Sequence, residues 1–237
     1  MSNNSIKSGL DALDQIMKKQ QESAGGDFAK AEWFKLDDGK SARIRFLQEF
    51  DRESKHYDEG RGSIIVAIEH TAPGNFRSKA LCTIEDGRCW ACEQHKVDPK
   101  PPQGSWKARP RLYANILVKT DEGNKVQILS QSVSSQSITP TLREFAIESG
   151  AITDRPWKIT RNGSGTQTSY LATPFDRVDE YFDDFDDYEL YDLEKACTRA
   201  VPYEEQAAFY NGGAVQVSEG EGSKSWTGDP TPSLSGW

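Results

Sequence analysis

"RLYANILVKTDEGNKVQILS", Arg111–Ser130, carries the reading of the fold. Leu112, Ala114, Ile116 and Val118 alternate with Arg111, Tyr113 and Asn115, and a period of two is that of a strand with two unlike faces. "KTDEGNK" interrupts the pattern and an apolar run resumes at Val126, so the stretch reads as a hairpin. Upstream, "SARIRFLQEF" alternates in the same way, with Arg43 and Arg45 on one face and Ile44 and Phe46 on the other. "SIIVAIEH" reads as a buried strand from its β-branched run. Downstream, "TPTLREFAIESG" predicts a short helix, capped by Thr141 and stopped at Gly150. "RPWKITRNGSGTQTSYLATP" predicts a second hairpin turning at Asn162–Gly163. Five or six strands, short helices and long loops make the chain mainly β, a small closed or partly closed barrel.

This core spans residues 26–175 and is flanked by two segments of different character. Residues 1–25 hold Ile6, Leu10, Leu13, Ile16 and Met17 at helical spacing before "KKQQESAGG". That stripe is too narrow to be a core by itself, and it predicts a helical arm that docks on this protein or on another copy. Residues 176–237 predict an acidic, flexible tail. "FDRVDEYFDDFDDYELYDLEK" has ten acidic residues against two basic ones, and the last stretch is rich in Gly, Ser and Pro. The net charge of -8 conceals this layout. Residues 1–175 hold 25 Lys and Arg against 22 Asp and Glu, whereas residues 176–237 hold 4 against 15. A basic body with an acidic end points to a polyanionic partner, for which the tail can stand in when the partner is absent. No apolar run is long enough to span a membrane, and the N-terminus lacks a signal peptide. A cytoplasmic protein with reduced cysteines is the expectation.

Three of the four cysteines lie in "ALCTIEDGRCWACEQH", residues 80–95. Cys89 and Cys92 form a C-x2-C pair, and Cys82 stands upstream with Gly87 to let the loop turn back. Zn²⁺ takes four such ligands in a tetrahedron. His70, which ends the apolar strand, is the first candidate for the fourth ligand, and His95 is its rival. A redox C-x2-C usually belongs to a βαβ unit, which is absent here. The polar surroundings argue against buried thiols acting as hydrophobes. Three Cys and one His fill the shell, so one structural Zn²⁺ is expected, stapling the segment at about 70–95. Cys197 and His56 read as bystanders.

Cations stand beside aromatics in "EWFKL", "ARIRF", "GSWKARPRLY" and "PWKITR". Unpaired nucleic acid needs this mixture, with cations for phosphates and rings for base stacking. The candidate contacts are Arg43, Arg45, Trp106, Lys107, Arg109, Arg111, Tyr113, Lys158 and Arg161, selected on charge and strand facing. Trp33, Phe34 and Trp157 read equally well as core. "GSG" at Gly163–Gly165 lies between strands and reads as a turn rather than a phosphate cradle. No Ser-His-Asp set or paired carboxylates emerge, so a binding protein is expected and not an enzyme. A zinc-stapled protein–protein adaptor and a small zinc enzyme acting on nucleic acid remain as alternatives.

The His, Cys, C-x2-C order at His70, Cys82, Cys89 and Cys92, together with an N-terminal arm and an acidic C-terminus, resembles the phage single-stranded DNA-binding proteins typified by the helix-destabilising protein of T-even phages. "WFKLDDGKSARIRFLQEF" and "WKITRNGSGTQTSYLATP" look like core strands of such proteins. The resemblance implies an OB-fold with an inserted zinc subdomain and sequence-independent binding of single-stranded DNA in replication, recombination and repair. It also implies an arm for self-association along DNA and an acidic region that recruits other replication proteins. For a phage protein the compartment would be the cytoplasm of the bacterial host. No single DNA contact is carried over by the resemblance, because no short motif marks one.

Overall fold

The computed structural model describes residues 31–176 and 188–212. The expected arm at 1–25 and the tail residues 177–187 and 213–237 lie outside them. All the described residues but Ala31 belong to one compact unit. It is mainly β: seven antiparallel strands in one open sheet, with a few short helices. The strands are β1 (Ser41–Phe46), β2 (Ile65–Ala72), β3 (Asn75–Leu81), β4 (Arg109–Thr120), β5 (Gly123–Ser132), β6 (Pro156–Asn162) and β7 (Ser169–Pro174). The helices are α1 (Trp90–Val97), α2 (Thr139–Ser149), α3 (Leu193–Cys197) and α4 (Tyr203–Tyr210). No helix among the described residues is long and apolar enough to cross a membrane.

β4 organises the sheet. One of its edges pairs with β5 from Arg111 to Thr120. The other edge is shared: its first half pairs with β2, its second half with β1. β6 and β7 continue from β1, giving the order β3-β2-β4-β1-β6-β7. Sequence patterning yields only five or six strands because β3, "NFRSKAL", is largely polar. Its buried positions are Ser78 and Ala80, too small and polar to mark a strand. Pro73-Gly74 is the turn signal that marks it, with Gly74 at φ +75°. In the second hairpin Gly163 is required at its φ of +81°, since an added Cβ would stand 2.5 Å from the Gln167 carbonyl oxygen.

The inward face is as expected. Ile44, Phe46, Leu112, Ala114, Ile116, Val118, Trp157 and Ile159 form one core, closed by Leu142 of α2 together with Ile138 and Ile152. Gly150 ends α2 in the left-handed region at φ +81°, its N–H donating to the Ala146 carbonyl. The start of α2 differs from expectation. The helix begins two residues before Thr141, because Pro140 suits a first turn and Ser137 Oγ accepts from the Thr139 N–H at 3.2 Å.

Two corrections concern the other face. Every residue from Leu112 to Val118 is buried, Tyr113 and Asn115 included. The reason is that residues 188–212, assigned by composition to a flexible tail, fold back onto the sheet. Tyr188 and Leu190 pack on Leu47 and Leu117. The Asn115 side chain donates to the Tyr191 carbonyl at 2.9 Å and accepts from the Tyr191 N–H at 3.1 Å. Leu193 and Cys197 of α3 are buried beyond it. Residues 188–212 therefore belong to the folded core.

A buried carboxylate ties the sheet to the loop after α2. Glu49 accepts from the Ile152 and Thr153 N–H groups and from Thr153 Oγ1, at 2.6–3.1 Å. Glu49→Ala orphans those buried donors, each worth about 1–3 kcal/mol. The expected loss of stability is roughly 3 kcal/mol, read as a lower urea midpoint at unchanged slope. A loss under about 0.5 kcal/mol would show that this loop is held by other means.

Candidate metal centre and cationic face

The β2–β3 hairpin and α1 assemble the metal cluster. His70, opposite Ala80 in the hairpin, is fully buried. Cys82 follows β3, its N–H donating to the Ile68 carbonyl at 2.8 Å. Cys89 is the residue before α1, and Cys92 lies in its first turn. One ligand atom from each of the four lies within 4.8 Å of all the others. Cys92 Sγ is 3.3 Å from His70 Nε2 and 3.6 Å from Cys82 Sγ. A tetrahedron with Zn–S near 2.3 Å places its sulfurs about 3.8 Å apart, so the cluster suits one ion. The donor set of three sulfurs and one imidazole is compatible with zinc.

The surroundings prepare the ligands. The Trp106 carbonyl lies 2.5 Å from His70 Nδ1. That bond places the proton on Nδ1 and leaves Nε2 as the donor atom facing the sulfurs. Burial lowers the His70 pKa and so favours the neutral imidazole that a metal needs. Burial, together with the neighbouring thiols, pushes Cys92 up to about 12. Burial also raises Cys82. Burial acts in the same direction on Cys89, but hydrogen bonds from the backbone of Cys92 and Thr83 outweigh it and leave that thiol below its ordinary value. Small residues, Ala72, Ala80 and Ala91, line the cluster. His95, on α1 beyond Cys92, stands outside the cluster among the described residues. Cys197 is likewise outside it, and burial raises its thiol.

The cationic candidates divide sharply. Arg43 pairs with Lys158, Arg45 with Leu117, and Ala67 with Arg111. Paired residues share a face, so Arg43, Arg45, Arg109, Arg111 and Lys158 all project from the face opposite the core. Lys107, Arg109 and Lys158 are exposed. Arg43 lies over the Phe175 ring at 4.2 Å. Arg45 Nε donates to the Thr153 carbonyl at 3.0 Å. Arg45 also lines a cleft of about 490 Å³ together with Arg61, Tyr57 and the exposed His56.

Other candidates have structural work instead. Tyr113 is fully buried beneath Trp33 and donates to Glu69 at 2.9–3.1 Å, so no base can reach its ring. Alternation along β4 does turn it away from the core, and the segment after Tyr188 is what covers it. Arg111 donates to Ser130 Oγ at 3.0 Å and stands 4.0 Å from the buried Glu69 carboxylate. Arg161 is aimed at the Leu36 carbonyl, 2.7 Å away, off the shared face. Trp106 packs edge-on against Trp90 and Tyr210, at 5.3 and 5.4 Å. Trp157 lies in the core. The exposed ring that sequence reasoning misses is Phe76, 49% accessible and next to the exposed Arg77. Its "NFR" stretch carries the same Arg–aromatic signal as the candidate clusters. No family model, no curated protein and no solved structure matches this chain.

Proposed function

We propose that this protein binds single-stranded DNA without sequence preference, as an accessory of replication, recombination or repair of the phage type that its sequence resembles. The observation that carries the reading is the shared face of Arg43, Arg45, Arg109 and Lys158, set by strand register and lying opposite the apolar core. The middle of that face, Tyr113 to Leu117, is buried, so the cations it leaves exposed are Lys107, Arg109 and Lys158. We read the sheet as an OB-type barrel with the metal module as its inserted subdomain and Zn²⁺ as a structural staple. His70 ties that module to Trp106, and so anchors the start of the basic stretch at Lys107 and Arg109. The acidic C-terminal region recruits partner proteins and regulates access to DNA, self-association runs through residues 1–25, and the compartment is cytoplasmic.

Trp90, Trp106 and Trp157 are packed against other rings, so anisotropy of a labelled oligo(dT) is a better reporter than tryptophan quenching. Binding should weaken steeply with salt and exceed binding to duplex. Replacing Lys107, Arg109 and Lys158 together by alanine should lower affinity at least tenfold. It should also flatten the plot of log affinity against log salt by roughly 2, at about 0.7 for each phosphate no longer neutralised. No anisotropy change with either form of DNA would sink the reading.

A protein–protein adaptor is the second reading. Val66 and Ile68 are 55% and 48% exposed where the core face of the sheet runs out, with Val133 beside them. An apolar patch of this kind suits a protein partner, and it is the reading that remains if DNA fails to bind.

A further inference from the structure

Gln206 is a fully buried side chain in α4, more than a hundred residues from the metal ligands in sequence. Its Oε1 accepts the Trp90 N–H at 2.9 Å. Trp90 is the first residue of α1, whose opening N–H groups have no partner inside the helix. Cys89 supplies no side-chain cap there. The Gln206 amide therefore caps the helix that carries Cys89 and Cys92. Its Nε2 donates to Thr83 Oγ1 at 2.8 Å and to the Val201 carbonyl at 2.9 Å. Thr83 follows Cys82 directly, and its hydroxyl donates to the Arg88 carbonyl at 2.6 Å, closing the loop that joins Cys82 to Cys89. One amide thus joins both cysteine-bearing segments to the C-terminal segment.

The same segment makes further contacts around it. The Leu81 N–H donates to the Arg199 carbonyl at 2.8 Å. Tyr203 donates to Glu93 at 2.7 Å and lies under the Arg88 guanidinium at 3.8 Å. Tyr210 stacks on Trp90 with ring centres 5.9 Å apart. Phe209 and Val201 complete the apolar cluster that surrounds Cys89.

We propose that residues 198–212 are a latch on the metal module, with Gln206 as the positioning residue, so that metal binding and latch docking are one coupled equilibrium. The proposal rests on the metal-site reading. A bound ion fixes the spacing of the Cys82 and Cys89 segments, and only that spacing presents Thr83 and Trp90 to one amide. Docking, in turn, holds the ligands in place for the ion. Linkage makes the two effects equal in size. Partners outside a ligand set typically alter metal affinity by roughly 10–100-fold, and Gln206 is expected to fall in that range.

Two measurements on the full chain test this. In the first, Zn²⁺ affinity is measured by competition with a chromophoric chelator for the wild type and for Gln206→Leu, which keeps the buried volume but none of the three hydrogen bonds. The variant should bind one Zn²⁺ at least tenfold more weakly; equal affinity overturns the latch. In the second, trypsin digestion of the wild type is followed by mass spectrometry with Zn²⁺ bound and after its removal. Removal should speed cleavage after Arg199 at least tenfold while Lys125 and Lys158 in the sheet keep their rates. Unchanged cleavage at Arg199, or equal acceleration at every site, overturns it. If the wild type binds no Zn²⁺ at all, the metal reading itself fails and the latch falls with it.

Discussion

Cys89→Ser is expected to reduce bound zinc from one ion per chain to none under a competing chelator and to lower the melting temperature by roughly 10 °C. Cys89 is fully buried at the start of α1, and the side chains around it include three alanines. Trp90, Trp106, Phe209 and Tyr210 pack around the same cluster, so a bound ion would add its binding energy to an apolar packing that is already there. Losing one thiolate costs several kcal/mol of metal binding, and each kcal/mol moves the transition by about 2–4 °C in a chain of this length. Metal content and calorimetry on the same samples check this result. A variant that keeps both its ion and its melting temperature would exclude Cys89 as a ligand.

The same site sets a dependence on pH. Cys82 and Cys92 have raised pKa values without metal, so at neutral pH they carry protons that an incoming ion must displace. Affinity therefore rises with pH, by up to roughly one log unit per pH unit for each thiol proton displaced. His70, held neutral by burial, adds nothing to that slope near neutrality.

Trp157→Ala should give the largest loss of stability in the sheet, about 3–5 kcal/mol. Trp157 is wholly enclosed by the core. Its ring meets Phe46 of β1 edge-on at 6.0 Å and Phe145 of α2 at 4.8 Å. Its Nε1 donates to the Ile152 carbonyl at 2.9 Å, in the same loop that Glu49 holds through its N–H groups. Truncation empties the junction of two strands and a helix and leaves that carbonyl without its donor. Trp157→Phe, which refills part of the volume, should recover about half of the loss. Urea unfolding checks both variants, and a cost under about 1 kcal/mol for the alanine would show that the core collapses around the gap.

The strands that alternate cleanly are legible in the sequence alone. Ile44 and Phe46, and Leu112 through Val118 at every second position, reach the core because a pleated backbone sends successive side chains to opposite faces. The cysteines are legible too, since C-x2-C lies within one helical turn and Cys82 within reach of it. The edge strand β3 is not, because its buried positions, Ser78 and Ala80, are too small and polar to show as an apolar alternation.

What the sequence determined by itself was local: the hairpins, the helix stop at Gly150, the three clustered thiols and the split of charge between body and end. What only the tertiary structure decided was which distant partner completes each local piece. Both His70 and His95 are within chain reach of the thiols. The pairing of β2 with β3 sets His70 beside them, whereas α1 carries His95 away. Residues 188–212 read as tail because they continue an acidic run and their apolar side chains follow no period of their own. They fold because two surfaces made elsewhere, the Leu117 face of β4 and the cysteine module, offer Leu190, Val201, Phe209 and Tyr210 places to be buried. Burial that depends on a distant surface leaves no pattern in the segment that is buried, and for this reason Tyr113 looks exposed and Gln206 looks idle when the chain is read by itself.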